Sequence, residues 1–326
     1  MTSISRRAAM VALLAASSPL AARAQSAYPT RPIRIIVGFA AGGAPDALAR
    51  IVADKLGQVW GQPVTVENRV GAQGNTAMAA VAKAEPDGYT LALMPVGNAA
   101  VNPALFANLP YDPVRDFAPV TQLASVENVF VVAGNSPWRS LPELVSAGRA
   151  GPAPLTYASP GAGSLAHLGA ELLARSAGFA MTHVPYRGVA PALTDVLRGE
   201  ISVMLAQLST AKPLVESGQL RALAVASPGR SALMPAVPTV AEAVALPGFE
   251  AVSWYALMAP AATPSPVVTQ LNKAVSDALR APDMAAALEA QGARAIGGTP
   301  AELAAVIAAD TERWGRLVRE AGIQAN

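Results

Sequence analysis

Two units, each made of a strand, a glycine loop and a helix, constrain the fold more than any other feature of this sequence. In the first, the β-branched run 34–38 leads through Phe39-Ala-Ala-Gly-Gly43 into an amphipathic stretch over 45–56. In the second, the loop Gly161-Ala-Gly163 precedes a predicted helix over 165–176. Strands that alternate with helices predict a mostly parallel sheet covered on both faces. The chain is therefore expected to have an α/β fold.

Similar patterns continue along the rest of the chain. Short apolar runs predict further strands over 64–67, 89–94, 129–133, 155–158, 201–205 and 220–225, and apolar residues at helical spacing predict helices over 75–84, 141–147, 267–281 and 301–321. A chain of this length is large enough for two domains, each with its own core. We expect two lobes, with lobe 1 formed by 25–126 and 227–326 and lobe 2 by 127–226.

The positions of the glycine loops predict where a ligand binds. In an open α/β sheet, ligands bind beyond the carboxyl ends of the strands, where helices begin. The first turn of a helix has free backbone N–H groups and a partial positive charge, so it can bind a carboxylate without Arg or Lys. Two such loops that face each other across a hinge would hold the two ends of a di- or tricarboxylate.

The N-terminus has the pattern of a secretory signal peptide over 1–24. The pair Arg6-Arg7 precedes an apolar run over 8–16, and Ala22-Arg23-Ala24 has the small-x-small pattern of a cleavage site. We expect cleavage near Ala24 and a mature protein in the periplasm, with export by either the Sec or the twin-arginine route.

Composition excludes several classes of function. The chain has no cysteine, so we expect neither disulfides nor a lipid anchor on an N-terminal cysteine. Removal of the predicted signal peptide, with its three arginines, changes the formal net charge from +2 to −1. A near-neutral chain without a basic stripe is not expected to bind nucleic acid. His167 and His183 are the only histidines and are too far apart in sequence to suggest a metal site.

Several longer motifs resemble the Bug-type extracytoplasmic solute receptors of tripartite tricarboxylate transporters, and the resemblance covers nearly the whole chain. It implies a type II periplasmic binding protein fold, in which two α/β lobes close on a ligand like a Venus flytrap. It also implies that the protein has no catalytic activity and no cofactor, that it is a monomer, and that it delivers its ligand to membrane transporter subunits. The motifs that carry the resemblance are Val37-Gly-Phe-Ala-Ala-Gly-Gly-Ala-Pro-Asp-Ala-Leu-Ala-Arg50, Ala84-Glu-Pro-Asp-Gly-Tyr-Thr-Leu91, His183-Val-Pro-Tyr-Arg-Gly188, Pro238-Thr-Val-Ala-Glu-Ala243 and the segment Trp314 to Gly322.

The resemblance also implies which residues contact the ligand. The family commonly has a glycine at the position of Ala44 or Pro45, and this departure leaves the identity of the ligand open among di- or tricarboxylates, amino acids and aromatic acids. The residues at the family's contact positions are, in lobe 1, Phe39, Ala40, Ala41, Gly43, Asp46, Gly74 and Asn75, and in lobe 2, Ser159, Gly161, Gly163 and Ser164.

Other side chains are candidates with two interpretations each. Asp46 is either a ligand contact for an ammonium or hydroxyl group or an acid that compensates the helix dipole. His167 either faces the cleft or is structural. Arg187 is either the charged contact to a carboxylate or a solvated partner of Asp195. Tyr186 is expected to line the cleft or the hinge. Trp254 and Tyr255 either pack the hinge or form a flat apolar wall.

Two enzyme classes and a second binding class are alternatives. The residues from Gly161 to Ala166 fit a dinucleotide-binding pattern, but the acidic residue expected about 20 positions later is absent. Ser164 with His167 or His183 would be needed for an exported hydrolase, yet Ser164 does not lie in a G-x-S-x-G motif. A ligand-sensing module that docks on a membrane sensor is the third alternative.

Overall fold

The computed structural model describes residues 28–324. The predicted signal peptide and its cleavage near Ala24 lie outside this range. The strands of the described chain are β1 (Ile33–Val37), β2 (Val64–Asn68), β3 (Thr90–Pro95), β4 (Phe117–Val126), β5 (Asn128–Ala133), β6 (Leu155–Ser159), β7 (Met181–Pro185), β8 (Val203–Gln207), β9 (Leu220–Val225), β10 (Ser253–Pro260) and β11 (Ala293–Gly297).

The α-helices alternate with these strands for much of the chain, and short 3₁₀ and π segments at Ala72–Gly74 and Gly97–Val101 complete the pattern. The α-helices are α1 (Ala44–Trp60), α2 (Asn75–Ala82), α3 (Asn102–Leu105), α4 (Leu141–Ala150), α5 (Leu165–Ala177), α6 (Val189–Leu197), α7 (Leu208–Glu216), α8 (Val240–Val244), α9 (Ser265–Leu279), α10 (Pro282–Ala290) and α11 (Pro300–Ala321). Among residues 28–324, none of these helices is long and apolar enough to cross a membrane.

The strands form two mixed sheets, so the expectation of a mostly parallel sheet is wrong. The first sheet has the order β11-β4-β10-β3-β1-β2, and the second has the order β7-β6-β8-β5-β9. The pairs β1/β2, β1/β3, β6/β7 and β6/β8 are parallel, whereas the pairs made by β10 and β5 are antiparallel. Strands β5 and β10 each follow a crossing between the two sheets rather than a crossover within one sheet, so this connection does not impose parallel pairing on them.

The chain crosses between the two sheets twice, and the two crossings are hydrogen-bonded to each other. Glu127 alone separates β4 from β5. The next residue, Asn128, accepts a hydrogen bond from Ala226 N at 2.8 Å and donates from Nδ2 to Ala251 O at 2.7 Å. Ala251 N in turn donates to Ala226 O at 2.8 Å. These paired crossings form the hinge of a two-lobed α/β protein, as the fold prediction required.

The two sheets take their strands from different parts of the chain, and one segment between them remains to be assigned. The first sheet takes its strands from 33–126 and 253–297, and the second takes them from 128–225. Part of the segment before β10 lies against the second sheet: Thr239 forms a parallel bridge with Val225, and the rings of Phe130 and Phe249 lie 6.2 Å apart. The bounds themselves stay a prediction.

Strand β1 is buried on both faces. Ile35 belongs to a core cluster shared with α1 and α9, whereas its neighbour Ile36 belongs to a second cluster shared with α2 and α11. This second cluster extends from Trp314 of α11 to Leu168 of α5, which lies in the other lobe. The two helix layers fix the carboxyl end of β1 at the boundary between the lobes.

Candidate ligand-binding site

A cavity of about 570 Å³ lies between the two sheets. Its walls come from the loops at the carboxyl ends of β1, β3, β6 and β8 and from the hinge. The residues that line it are Phe39, Ala40, Ala41, Gly43, Ala44, Pro45, Gln73, Pro95, Val96, Gly97, Asn98, Val101, Asn102, Asn128, Pro160, Gly161, Ala162, Gly163, Ser164, Leu165, Ala166, Gly188, Val189, Met204, Leu205, Ala206, Gln207, Thr210, Ser253, Trp254 and Tyr255.

Four α-helices begin at this wall. Their N-cap residues are Gly43 for α1, Ser164 for α5, Gly188 for α6 and Gln207 for α7, and all four line the cavity. The first turn of a helix has backbone N–H groups without intrahelical partners and a partial positive charge. Helices from both lobes therefore direct positive potential into the same space.

The loop before α1 is organised from behind by Asp46. Its Oδ2 accepts hydrogen bonds from Gly42 N at 2.9 Å and Arg50 Nε at 3.0 Å, and its Oδ1 accepts from Asn68 Nδ2 at 2.9 Å. The hydrogen bond from Arg50 is the main reason why the pKa of Asp46 falls to about 2, although burial opposes this shift. Asp46 is not among the lining residues, and its carboxylate joins the loop at Gly42 to α1 and β2.

The neighbouring loop packs against the first through two glycines. A Cβ added to Gly38 would lie 2.5 Å from Gly74 Cα, so this approach requires glycine. After Gly74, the buried Asn75 accepts hydrogen bonds through Oδ1 from Asn102 Nδ2 at 2.7 Å and from Tyr111 at 3.1 Å. Gly74 and Asn75 thus lie behind the wall and position Gln73 and Asn98, which line it.

The two lobes touch directly beside the cavity. Gln73 Nε2 of lobe 1 donates to Ala162 O of lobe 2 at 3.4 Å. Nearby, a Cβ added to Gly163 would lie 2.4 Å from Leu105 Cδ2 of lobe 1, and Gly163 has a φ of +73°. The loop before α5 therefore contacts lobe 1 through one polar contact and one apolar contact.

The loop before α5 is held by its own serines. Ser164 caps α5 by accepting from His167 N at 3.3 Å, and its hydroxyl donates to Gly161 O at 2.7 Å. The buried Ser159 also donates to Gly161 O, at 2.9 Å, and its Oγ lies 2.7 Å from His183 Nε2. Gly161, Gly163 and Ser164 line the cavity, whereas Ser159 lies beneath them.

His167 lies behind the wall, where it stacks on His183. Gly163 N donates to His167 Nδ1 at 3.0 Å, so this nitrogen has no proton and the ring is neutral. Burial lowers the pKa of His167 to about 3, with a smaller contribution from His183, and burial lowers the pKa of His183 to about 4. Both imidazoles act as structural supports of the loop.

Tyr186 and Arg187 are not among the lining residues. The hydroxyl of Tyr186 donates to Asp195 Oδ2 at 2.6 Å, and this hydrogen bond raises the pKa of Tyr186 to about 12. The ion pair of Asp195 is formed by Arg198, at 3.8 Å, and not by Arg187, for which pairing with Asp195 was one of two interpretations. The loop contributes its following residues, Gly188 and Val189, to the wall instead.

The hinge contributes two aromatic side chains for which the sequence left two interpretations open, hinge packing or a wall of the cleft. Trp254 and Tyr255 of β10 both line the cavity. Trp254 Nε1 donates to Asp310 Oδ2 of α11 at 2.7 Å, which fixes the indole ring. The Tyr255 hydroxyl lies 3.5 Å from its donor, Gln207 Nε2.

The structure therefore divides the fourteen residues predicted from the sequence into two groups. Those at the wall are Phe39, Ala40, Ala41, Gly43, Gly161, Gly163 and Ser164, and those outside it are Asp46, Gly74, Asn75, Ser159, His167, Tyr186 and Arg187. Sequence analysis missed Asn98, Asn128 and Gln207, which also line the cavity. Asn98 follows shortly after the end of β3, and Gln207 is the last residue of β8. The carboxyl ends of both strands face the cleft, so these positions could have identified the two residues as candidates.

The geometry offers little to the enzyme alternatives. Among residues 28–324, no group of three or more His, Asp or Glu side chains could hold a metal ion. Ser164 is used as a helix cap, and its backbone partner is His167 rather than an imidazole nitrogen. The serine that does contact an imidazole, Ser159, is completely buried. Neither serine presents an activated hydroxyl to the cavity.

Comparison with known proteins finds relatives that match almost the whole chain. A model of the tripartite tricarboxylate transporter family receptor matches residues 48–323. Protein BugT of Bordetella pertussis is 37% identical over 98% of this chain and 98% of its own. R. palustris Rpa4515 with adipate superposes with a TM-score of 0.81 at 37% identity, over 92% of this chain and 100% of that one. The periplasmic binding protein BugD superposes with a TM-score of 0.78 at 32% identity, over 92% and 100%.

The family match covers strands of both lobes and the loop before α5, and the related structures share the two-lobed fold. The chain therefore belongs to the tripartite tricarboxylate transporter receptors, the Bug-type periplasmic solute-binding proteins.

Proposed function

We propose that this protein captures a carboxylate-bearing solute in the periplasm and delivers it to a tripartite tricarboxylate-type transporter without changing it chemically. The observation that carries the proposal is the cavity between the lobes, at which four helices begin, two of them, α1 and α5, in loops that face each other. The family of receptors to which the chain belongs supports the same conclusion.

The wall is suited to anions although it carries no cationic side chain. Backbone N–H groups at Ala44, Leu165 and Ala166 lie in the first turns of α1 and α5. Such groups bind a carboxylate by hydrogen bonds and by the helix dipole together. We propose that the lining residues of these loops contact the ligand, and that Asp46, Gly74, Asn75, Ser159 and His167 position them.

Adipate in the structure of the R. palustris relative supports an organic acid as the ligand. That relative shares both lobes with this chain at 37% identity. We further propose that the receptor acts as a monomer, because one chain supplies both walls of the cavity.

The direct test is a thermal-shift and calorimetric screen of the processed protein, purified from the periplasm, against dicarboxylates, tricarboxylates and aromatic acids. Ligand at about 1,000 times Kd stabilises the folded state by about 4 kcal/mol. At about 2 to 4 °C per kcal/mol for a protein of this size class, the expected increase in Tm is on the order of 10 °C. The mass of the purified protein tests cleavage near Ala24, and light scattering tests the monomer.

Binding of one acid with a large increase in Tm, and no consumption of that acid on long incubation, supports the proposal. Absence of binding to every acid by a folded protein contradicts it. A chain that binds an acid but whose deletion leaves uptake of that acid unchanged contradicts the transport role alone, and would favour the sensor alternative.

A further inference from the structure

A strip of surface beside the cavity is formed by both lobes, and we call it the cross-lobe strip. It consists of residues 69–73 of lobe 1 and residues 161–162 and 186–191 of lobe 2. Gln73 Nε2 donates across the cleft to Ala162 O at 3.4 Å. Gly161 adjoins the third segment, since a Cβ added there would lie 4.0 Å from Tyr186 O. The three segments therefore form one surface when the lobes are as close as they are here.

The exposed side chains of the cross-lobe strip are mostly apolar. Val70 is 65% exposed and Val189 is 41% exposed. Ala72 is exposed on the lobe 1 side, and Ala190 and Pro191, in the first turn of α6, are exposed on the lobe 2 side. Exposed apolar side chains that are grouped on one surface mark interaction sites. Both lobes thus offer apolar side chains to one partner.

The charge of the cross-lobe strip is positive. It contains Arg69 and Arg187 and no acidic residue. Arg69 pairs with Glu67 at 2.6 Å, just outside the strip. Arg187 is exposed and forms no ion pair within residues 28–324, where Asp195 pairs with Arg198. Arginine is enriched in protein interfaces and binds carboxylates through paired hydrogen bonds. The strip therefore fits a partner segment that carries an acid beside apolar side chains.

The backbone of the cross-lobe strip is held in place on both sides of the cleft. Ala72 and Gln73 have positive φ, at 45° and 55°, which costs free energy in residues other than glycine. Such residues persist where the surrounding structure imposes them, and they cluster at ligand clamps and switch regions. On the other side, the Tyr186 hydroxyl donates to Asp195 Oδ2 of α6 at 2.6 Å, which fixes the chain next to Arg187. The strip is therefore preorganised for a partner.

Other occupants fit the cross-lobe strip less well. Protein segments that bind anionic lipid carry about four to eight Lys or Arg residues, whereas the strip has only Arg69 and Arg187. A second copy of the chain would bring the same arginines together without an acid of the strip to pair with them, and like charges oppose such pairing. The membrane subunits of the transporter are the proteins that a liganded receptor has to meet.

On the basis of the proposed function, we propose that the cross-lobe strip is the surface on which the transporter's membrane subunits dock, through a periplasmic segment with apolar side chains and a carboxylate that pairs with Arg187. A partner favours one conformation only through contacts that differ between the conformations. Because both lobes contribute to the strip, the segment binds the closed receptor more tightly than the open one. The transporter thereby selects receptors that hold a ligand.

The test measures binding of the purified receptor to the membrane subunits in phosphatidylcholine nanodiscs, by biolayer interferometry. Adipate, citrate and benzoate at saturating concentration are the ligand probes. We expect a probe that binds the receptor to increase its affinity for the subunits at least tenfold. Arg187→Gln and Val70→Ser, one in each lobe, should each weaken binding of the liganded receptor at least fivefold. Only Arg187→Gln should also reduce the salt dependence of binding.

Two matched variants control for general changes of the surface. Arg139→Gln removes an exposed arginine of lobe 2 outside the cross-lobe strip, and Val59→Ser changes a valine of α1 that is 55% exposed. Both should bind the subunits as the original protein does. Neither Arg187 nor Val70 lines the cavity, so calorimetry should give both strip variants the original Kd for the probe.

Full binding of the subunits by Arg187→Gln and Val70→Ser, or an equal loss in the control variants, would overturn the inference while the proposed function stands. Equal affinity of the subunits for free and liganded receptor would overturn it as well. Binding to empty nanodiscs of phosphatidylglycerol that Arg187→Gln abolishes would assign the strip to a lipid surface instead, and a dimer in light scattering that Arg187→Gln dissociates would assign it to a second copy. Absence of binding of every acid to the receptor would contradict the proposed function itself, so the two failures are distinguishable.

Discussion

The imidazole rings of His167 and His183 stack with their centroids 3.7 Å apart and their planes 15° from parallel. The pair lies directly behind the loop before α5, where His167 accepts from Gly163 N and His183 contacts Ser159. Tyr157 lies against both rings, at 5.9 Å and 5.0 Å. Two imidazoles at this distance cannot both be charged at low cost, because neither has an acidic partner among these contacts.

The free energy of unfolding should therefore fall when the pH is lowered from about 6.5 toward 4. Burial lowers the pKa of His167 to about 3 and of His183 to about 4, whereas both are near 6.5 in an unfolded chain. Between these values the unfolded chain binds more protons than the folded one. The stability is complete above pH 6.5 and is lost by up to about 1.4 kcal/mol per pH unit for each histidine.

Urea denaturation at pH 7, 6 and 5 measures this slope. His183→Gln removes one titrating group and should reduce the slope between pH 6.5 and 5 by about half. If the variant and the original protein show the same slope, the histidine pair is not its cause.

Asp46→Asn should destabilise the protein and weaken ligand binding, although Asp46 does not line the cavity. The change removes charge from a buried group that accepts from Gly42, Arg50 and Asn68, and the loss of such hydrogen bonds costs about 1 to 3 kcal/mol. Because the pKa of Asp46 is about 2, its contribution is present above pH 4 and is lost as the pH falls toward 2.

Urea denaturation and calorimetry at pH 7 measure both effects of Asp46→Asn. Asp54→Asn is the matched control, because Asp54 is exposed on the same helix and should change stability by less than about 0.5 kcal/mol. A free energy of unfolding for Asp46→Asn equal to that of the control would show that Asp46 does not organise the loop.

The local patterns of the sequence predicted the elements that carry the site. The two units of strand, glycine loop and helix, one ending in α1 and the other in α5, were predicted to within a few residues. Both helices have amphipathic periodicity and both loops contain glycines. The central strand β10 was missed. It lies after the proline-containing segment 235–247, its residues are all buried, and its pairing with β3 and β4 connects segments more than 100 residues apart. A pairing of this range leaves no local pattern.

In the candidate site too, features with a local sequence pattern were predictable and features that depend on distant residues were not. Backbone loops such as Gly161 to Ser164 were predictable, because glycine and a helix start signal a close approach of the backbone. The role of Asp46 was not, because the sequence does not show that Gly42 N and Asn68 point at its carboxylate. Likewise, nothing near Asn128 signals that it joins the two crossings of the hinge.

Gln73 should contribute to ligand affinity through its contact across the cleft. Ala72 and Gln73 both have positive φ, at 45° and 55°, which is unfavourable for residues other than glycine. Gln73→Gly should therefore keep or raise the free energy of unfolding while it removes the hydrogen bond to Ala162 O. We expect a several-fold weaker Kd by calorimetry, with stability by urea denaturation that is unchanged or higher.

Gln73→Asn separates the effect of side-chain length from the effect of backbone strain. Asn adopts positive φ more readily than Gln, but its side chain is one methylene shorter and does not span the 3.4 Å contact. It should weaken binding as much as Gln73→Gly does. An affinity equal to that of the original protein in both variants would exclude a role for the cross-cleft contact.

Gly163→Ala should prevent the lobes from reaching the spacing seen here. The added Cβ would lie 2.4 Å from Leu105 Cδ2 and 2.7 Å from Cδ1, and the φ of +73° is itself costly for alanine. We expect at least tenfold weaker ligand binding by calorimetry, and a larger radius of gyration by small-angle scattering with ligand present. Leu105→Ala removes both methyl groups, so the double variant should recover part of the affinity and the compact radius. If Leu105→Ala restores neither quantity, backbone strain at Gly163 alone accounts for the loss, and the apolar contact does not limit closure.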